Sequence, residues 1–86
     1  MKAVVVVPIL GSGNAWGVAG PTDPPERVRD RAVTLQIEGD GVSGCHLVMS
    51  PAGCFTADTW HESIADAKEA AAEVFGVTAN AWVGDA

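Results

Sequence analysis

The sequence predicts an α+β domain: an antiparallel sheet of three to four strands with one C-terminal helix packed on one face. Three observations predict it. Residues 31–38 alternate apolar and polar side chains with a period of two. Residues 60–75 repeat their apolar side chains at about 100° per residue, the helical period. Between them, Asp-Gly and Ser-Pro-Ala-Gly supply the chemistry of tight turns. With 86 residues the chain is one small domain, below the common size of about 100–150 residues. It is read as a strand over 3–10, a Gly/Pro loop over 11–25, a β-β-β-α unit over 31–76 and a tail over 77–86.

The first strand is Ala3-Val4-Val5-Val6-Val7-Pro8-Ile9-Leu10. Its apolar run is continuous rather than alternating, which predicts burial on both faces. Pro8 has no N–H for a ladder bond and so places this part of the strand at an edge or a bulge. The same run, behind Met1-Lys2, resembles a short signal peptide, with residues 1–20 as the segment that would be removed. The strand reading is preferred, because one cation precedes the run and no Ala-x-Ala site follows it. The run is too short to span a bilayer, which takes about 20 residues.

Residues 11–25 carry Gly11, Gly13 and Gly17 and then Pro21, Pro24 and Pro25. A dinucleotide-binding loop needs a helix to begin among its glycines. The prolines forbid one here, and the stretch is read as a turn-rich connection. In the next strand Val33, Leu35 and Ile37 point to the core and Ala32, Thr34, Gln36 and Glu38 to water. Gly39-Asp40-Gly41 forms the turn and residues 45–50 the returning strand. Ser50-Pro51-Ala52-Gly53 fits a type I turn, and 54–57 run back as a third strand. With Gly53 as a bulge, Met49 faces Phe55 and Leu47 faces Ala57. Either register holds Cys45 and Cys54 beyond the limit of about 7 Å between Cα atoms for a disulfide, so two free thiols are expected.

The helix is assigned to 60–75. Thr59-Trp60-His61-Glu62 reads as a capping box, with Asp58 adding negative charge at the helix start. Trp60, Ile64, Ala67, Ala71, Val74 and Phe75 form the apolar stripe, and Glu62, Asp66, Glu69 and Glu73 the opposite one. Gly76 ends the helix. In the tail, Trp82 is the anchor expected to fold back onto the sheet.

Composition narrows the function. Hydrophobic residues make up 48% of the chain and charged residues 19%, with a formal charge of −6, which excludes disorder. Three of the five cations are Arg27, Arg29 and Arg31, interleaved with Asp30 and close to Glu26. Direct nucleic-acid binding needs a basic face and is not expected. An acidic chain suits a basic protein partner. Two cysteines without a C-x-x-C motif indicate a reduced, cytoplasmic setting rather than a disulfide scaffold.

Read together, Pro51-x-Gly53-Cys54-Phe55-Thr56-Ala57-Asp58-Thr59-x-x-Glu62-Ser63-Ile64-x-x-Ala67-Lys68-Glu69-Ala70 resembles the HicB-like family, antitoxins of bacterial type II toxin–antitoxin systems and their stand-alone relatives. The strands before the turn, Thr34–Glu38 and His46–Met49, match in layout, so the resemblance spans about residues 32–75. It implies a three-stranded antiparallel sheet with one helix, a partial ribonuclease-H-like fold, and a role in occluding a small basic ribonuclease toxin.

The reactive side chains are few. Cys54, Asp58, His61 and His46 are the candidate ligand-binding or catalytic residues, with Cys45 beside His46. Their spacing follows no zinc-finger pattern, and neither a metal nor another cofactor is expected. Glu62, Asp66, Glu69 and Glu73 are the candidate partner-binding residues, with Trp16 in the glycine loop as an interface anchor. The favoured reading is a non-catalytic protein-binding module. The alternatives are a small accessory or ligand-binding protein whose glycine loop and Trp16 close over a small molecule, or a small enzyme using His61 or Cys54 with Asp58. Four consecutive valines need cover on both faces, and one helix covers one, so a homodimer is expected.

Overall fold

The computed structural model describes residues 1–13, 15–39 and 42–84. It is an α+β fold in which five antiparallel strands curl around one C-terminal helix. The strands are β1 (Lys2–Ser12), β2 (Ala15–Val18), β3 (Val28–Gly39), β4 (Cys45–Pro51) and β5 (Ala57–His61). The helix α1 is Ile64–Phe75, and the sheet order is β2-β1-β3-β4-β5. No helix among the described residues is long and apolar enough to cross a membrane.

The expected count of three to four strands is corrected to five. The extra one, β2, comes from the stretch assigned to a loop. Ser12 and Ala15 pair directly, and Gly13, at φ 62°, opens the two-residue connection between them. Only residues 19–24 are left as irregular chain before a single 3₁₀ turn at Pro25–Arg27. The expected Asp40-Gly41 turn lies outside the described residues.

Cross-strand registers define two faces, since directly opposed residues share a side. One face holds Ala3 opposite Leu35, Leu35 opposite Met49, and Ile37 opposite Leu47. These residues, with Ile9, Val33 and Cys45, form one buried cluster with Ala67, Ala71 and Phe75 of α1 and Val77 behind it. Val33, Leu35 and Ile37 therefore take the side that their alternation predicts. The other face is open to solvent. Val4 is 56% exposed and Val6 67% exposed on it, which corrects the expectation that β1 is buried on both faces. Val5 and Val7 are half-buried and pack against the core. Pro8 sits on the outer edge of β1, where its carbonyl accepts the Ala19 N–H at 3.0 Å and no N–H is required of it.

The ends of the sheet are tied down by backbone. Lys2 and Val83 exchange N–H···O bonds of 2.8 and 2.7 Å, which lays the tail along the start of β1 and packs Trp82 against the core. At the other end Phe55 N–H donates to the Gly13 carbonyl at 2.8 Å, linking the β1–β2 tip to the β4–β5 connection. Those segments are not sheet neighbours, so the bond requires the sheet to curl.

Two local assignments shift. The turn after β4 closes through Cys54 N–H to the Pro51 carbonyl at 3.0 Å, one residue later than Ser50–Gly53, with Gly53 at φ 78°. Met49 then opposes Ala57 and Leu47 opposes Thr59, in place of Phe55 and Ala57. The third strand is 57–61 rather than 54–57. The helix consequently starts four residues later than the sequence reading. Thr59, Trp60 and His61 are strand residues, and Ser63 is the N-cap, its Oγ accepting the Asp66 N–H at 3.1 Å. Of the expected apolar stripe, Ala67, Ala71 and Phe75 are buried and Ile64 half-buried, whereas Val74 is exposed and Trp60 lies outside the helix. Gly76 ends the helix in the left-handed conformation at φ 69°.

The cap makes a direct test. Ser63→Ala should cost about 1 kcal/mol of unfolding free energy. Thr59→Ala, on an exposed strand position, should stay within about 0.5 kcal/mol. Urea denaturation of both variants checks this, and equal losses would return the helix start to Thr59.

Candidate functional site

Strand β5 distributes the reactive side chains by alternation. Asp58 opposes Val48 and Trp60 opposes His46, and all four belong to the open face. His61 belongs to the helix side and opposes Cys45. Cys54 lies in the turn before β5, half-buried against the core. The four candidates Cys54, Asp58, His61 and His46 are thus spread over two faces and a turn, and do not converge. Among the described residues no three His, Cys, Asp or Glu side chains gather as metal ligands.

The sequence reading offers His61 or Cys54 with Asp58 as catalytic residues, and Asp58 lies on the opposite face of the sheet from His61. Cys45 is the cross-strand neighbour of His61, yet the two are not bonded. Cys45 is buried, and its thiol donates to the Ser63 carbonyl at 3.3 Å. The His61 Nε2 lies 2.7 Å from Thr59 Oγ1 instead. A nucleophilic pair needs the imidazole to take the thiol proton; here a backbone carbonyl holds it. Both cysteines are free.

The open face forms a broad surface. Trp60, 56% exposed, lies against Gly44, where a Cβ would meet the indole ring at 2.5 Å. Gly44 has φ 105°, so the close approach and the backbone both require glycine. On the same face Val4, Val6 and Ala32 form one apolar area, which Thr34, Gln36 and Ser50 divide from Val48 and, beyond His46 and Asp58, from Trp60.

The acidic candidates occupy the far side of the molecule. Asp66, Glu69 and Glu73 are exposed on α1, and Glu62 is exposed just ahead of it. Lys68 is the one cation of the helix, and it is half-buried. Trp16 is half-buried, and its Nε1–H donates to the Phe55 carbonyl at 2.8 Å. It fastens the β1–β2 tip to the β4–β5 connection.

One arrangement was missed by the sequence reading. A cavity of about 300 Å³ opens between the β1–β2 hairpin and the start of β3, and Arg27, Arg29 and Arg31 line it. Their spacing of two residues was the available signal. The sequence reading starts the strand at 31, whereas β3 begins at Val28 and carries Arg29 and Arg31 on one face. Comparison of the chain with protein-family models, curated proteins and solved structures gives no match.

The thiols give a quantitative check on the site. Under native conditions a thiol reagent such as Ellman's should modify Cys54 readily and Cys45 only on unfolding. Two equally fast reactions would remove Cys45 from the core.

Proposed function

We propose that this chain is a cytoplasmic, non-catalytic binding module of the HicB-like type, which works as a homodimer and holds a basic protein partner, a small toxin being the partner the resemblance suggests. The observation that carries the reading is the segregation of its surface. The carboxylates of Glu62, Asp66, Glu69 and Glu73 stand exposed on the helix side, and the exposed apolar area lies on the opposite side of the sheet. Support for the family comes from the β3-β4-β5-α1 order, an antiparallel meander followed by a helix packed on β4 and β5. Two free thiols suit a reducing compartment. The dispersal of Cys54, Asp58, His46 and His61 argues against catalysis.

A second copy is the occupant best suited to the open face. A two-fold interface uses the same patch on both subunits. Packing two such faces together would cover Val4, Val6 and Trp60 and leave both acidic helices pointing outward for partners. In that arrangement dimerisation and partner binding use different surfaces and are separable by mutation.

Two variants test the two halves. Val6→Lys should convert a dimer seen by sedimentation equilibrium into a monomer with unchanged circular dichroism. A wild-type chain that stays monomeric throughout the concentration range would remove the dimer. Changing Glu62, Asp66, Glu69 and Glu73 together to Lys should leave the fold intact, at a cost of about 1 kcal/mol from cations near a helix N-terminus. It should slow association with the basic partner and weaken its salt dependence, since rim charges act mainly on the encounter rate. Affinity capture with wild type and this variant in parallel should retain a basic protein on the wild type alone. Equal retention, or loss of binding through His61→Ala or Cys54→Ala instead, would overturn the proposal.

A further inference from the structure

The geometry points to a binding site for a small phosphate-bearing molecule in the cavity between the β1–β2 hairpin and the start of β3. This inference stands apart from the partner-binding reading, because neither the acidic helix face nor the open sheet face contributes to it.

Strand alternation builds the site. Arg29 and Arg31 lie two residues apart on β3 and so share a face, opposite Ile9 and Val7. Arg27 joins them from the 3₁₀ turn that leads into the strand. Asp30 pairs with Pro8 on the opposite face, so the pleat keeps the carboxylate between Arg29 and Arg31 away from their guanidiniums. Ser12 and Glu26 complete the polar wall.

The arginines are not neutralised within the protein. Arg31 donates through Nη1 to the Ala52 carbonyl at 2.7 Å, and its Nε is buried with no acceptor. Among the described residues no side-chain hydrogen bond or ion pair engages Arg27 or Arg29; the Arg27 backbone N–H is held by the Pro24 carbonyl at 3.0 Å. A buried charged donor without an acceptor carries a desolvation cost, and such a group in a native fold calls for an explanation. Three guanidiniums facing one cavity also repel one another. An anion bound there relieves both. The placement is pointed in a chain of net charge −6, where three of the five Lys and Arg side chains line one cavity.

The chemistry selects a phosphoryl group. Guanidinium forks match the oxygens of carboxylates and phosphates alike, but three arginines against the one Glu26 are balanced by a phosphoryl dianion and not by a single carboxylate. The cavity, at about 300 Å³, is of the size of small-molecule sites and larger than one phosphate fills. Glu26 on the wall opposes a second strong negative charge and accepts hydrogen bonds from hydroxyl groups. The ligand class is therefore a small hydroxylated phosphomonoester, and free inorganic phosphate shares its recognised group.

Calorimetric titration of the intact chain at low ionic strength tests this, with glycerol 3-phosphate, inorganic phosphate and glycerol as probes. Saturable binding of glycerol 3-phosphate, tighter than phosphate and with glycerol silent, is expected. Equal affinity for ester and phosphate would assign the anion site to inorganic phosphate. Arg29→Gln and Arg27→Gln should each weaken binding by about tenfold, or about 1.4 kcal/mol. Both side chains are exposed, so the fold should survive, and Arg31 is left intact because it holds the Ala52 carbonyl. The ligand should also raise the melting temperature of the wild type and not of the variants. Non-saturating heats, or equal affinity in wild type and both variants, would overturn the site.

Discussion

One helix of twelve residues must roof a sheet of five strands, and the rest of the structure follows from that shortage. Such a helix is about 18 Å long, while the molecule extends 42 Å along its longest axis. The helix packs on β4 and β5. Burial of the remaining core side chains falls to other devices. The sheet curls, so that Ile9 of β1 and Val33 of β3 reach the same core as Phe75. The tail lays Trp82 and Val77 over one part of it. The β1–β2 tip closes the other end through the Gly13–Phe55 and Trp16–Phe55 bonds. A small domain has little apolar area to bury, and here backbone bonds between non-adjacent segments hold the curl in place of a second helix.

That arrangement explains which parts of the fold were legible in the sequence. Alternation at 32–38 reports a local property, the two sides of one strand, and it predicted the buried residues of β3 correctly. The helix body and its Gly76 stop are equally local. The errors arose where a segment's state depends on a distant partner. Thr59-Trp60-His61-Glu62 has good capping chemistry, but β4 offers it a ladder through Cys45, His46 and Leu47, and pairing takes Thr59, Trp60 and His61 into β5. Ser63, an equally good cap, starts the helix as soon as the ladder ends. The β1–β2 hairpin is hidden in the sequence because Gly11, Gly13 and Gly17 are alike in the chain, and only the pairing of Ser12 with Ala15 makes Gly13 the start of a turn. The valine run is ambiguous in the same way: a continuous apolar stretch is consistent with burial on both faces but does not supply a second layer, and Val4 and Val6 stay exposed.

The candidate site was less legible than the fold. A strand separates neighbours in sequence and unites residues from different strands. Asp58 and His61 look like partners in the chain and sit on opposite faces of the sheet, while Cys45 and His61, sixteen positions apart in sequence numbering, stand directly opposite one another. The acidic residues were easier to read because helix faces follow from spacing alone, and all four are exposed as expected.

The same logic governs the distribution of charge. Acidic groups collect on the exposed side of α1, where the helical period sends whatever the core does not need. The arginines collect beyond the reach of the helix, Arg29 and Arg31 on the core-facing side of β3 and Arg27 in the turn before it, where apolar side chains would have lain under an open mouth instead of a roof. Arg31 is the residue at that boundary. Its stem runs from a strand position next in line to Val33, which is fully buried, while its guanidinium meets the Ala52 carbonyl at the edge of the core. A long side chain with an apolar stem and a charged head suits a place where the core gives way to solvent. Arg29 and Arg27 continue the same face outward into water. The limit of the helix is therefore also the limit of the apolar core, and the cationic cavity occupies the part of the sheet that the helix leaves uncovered.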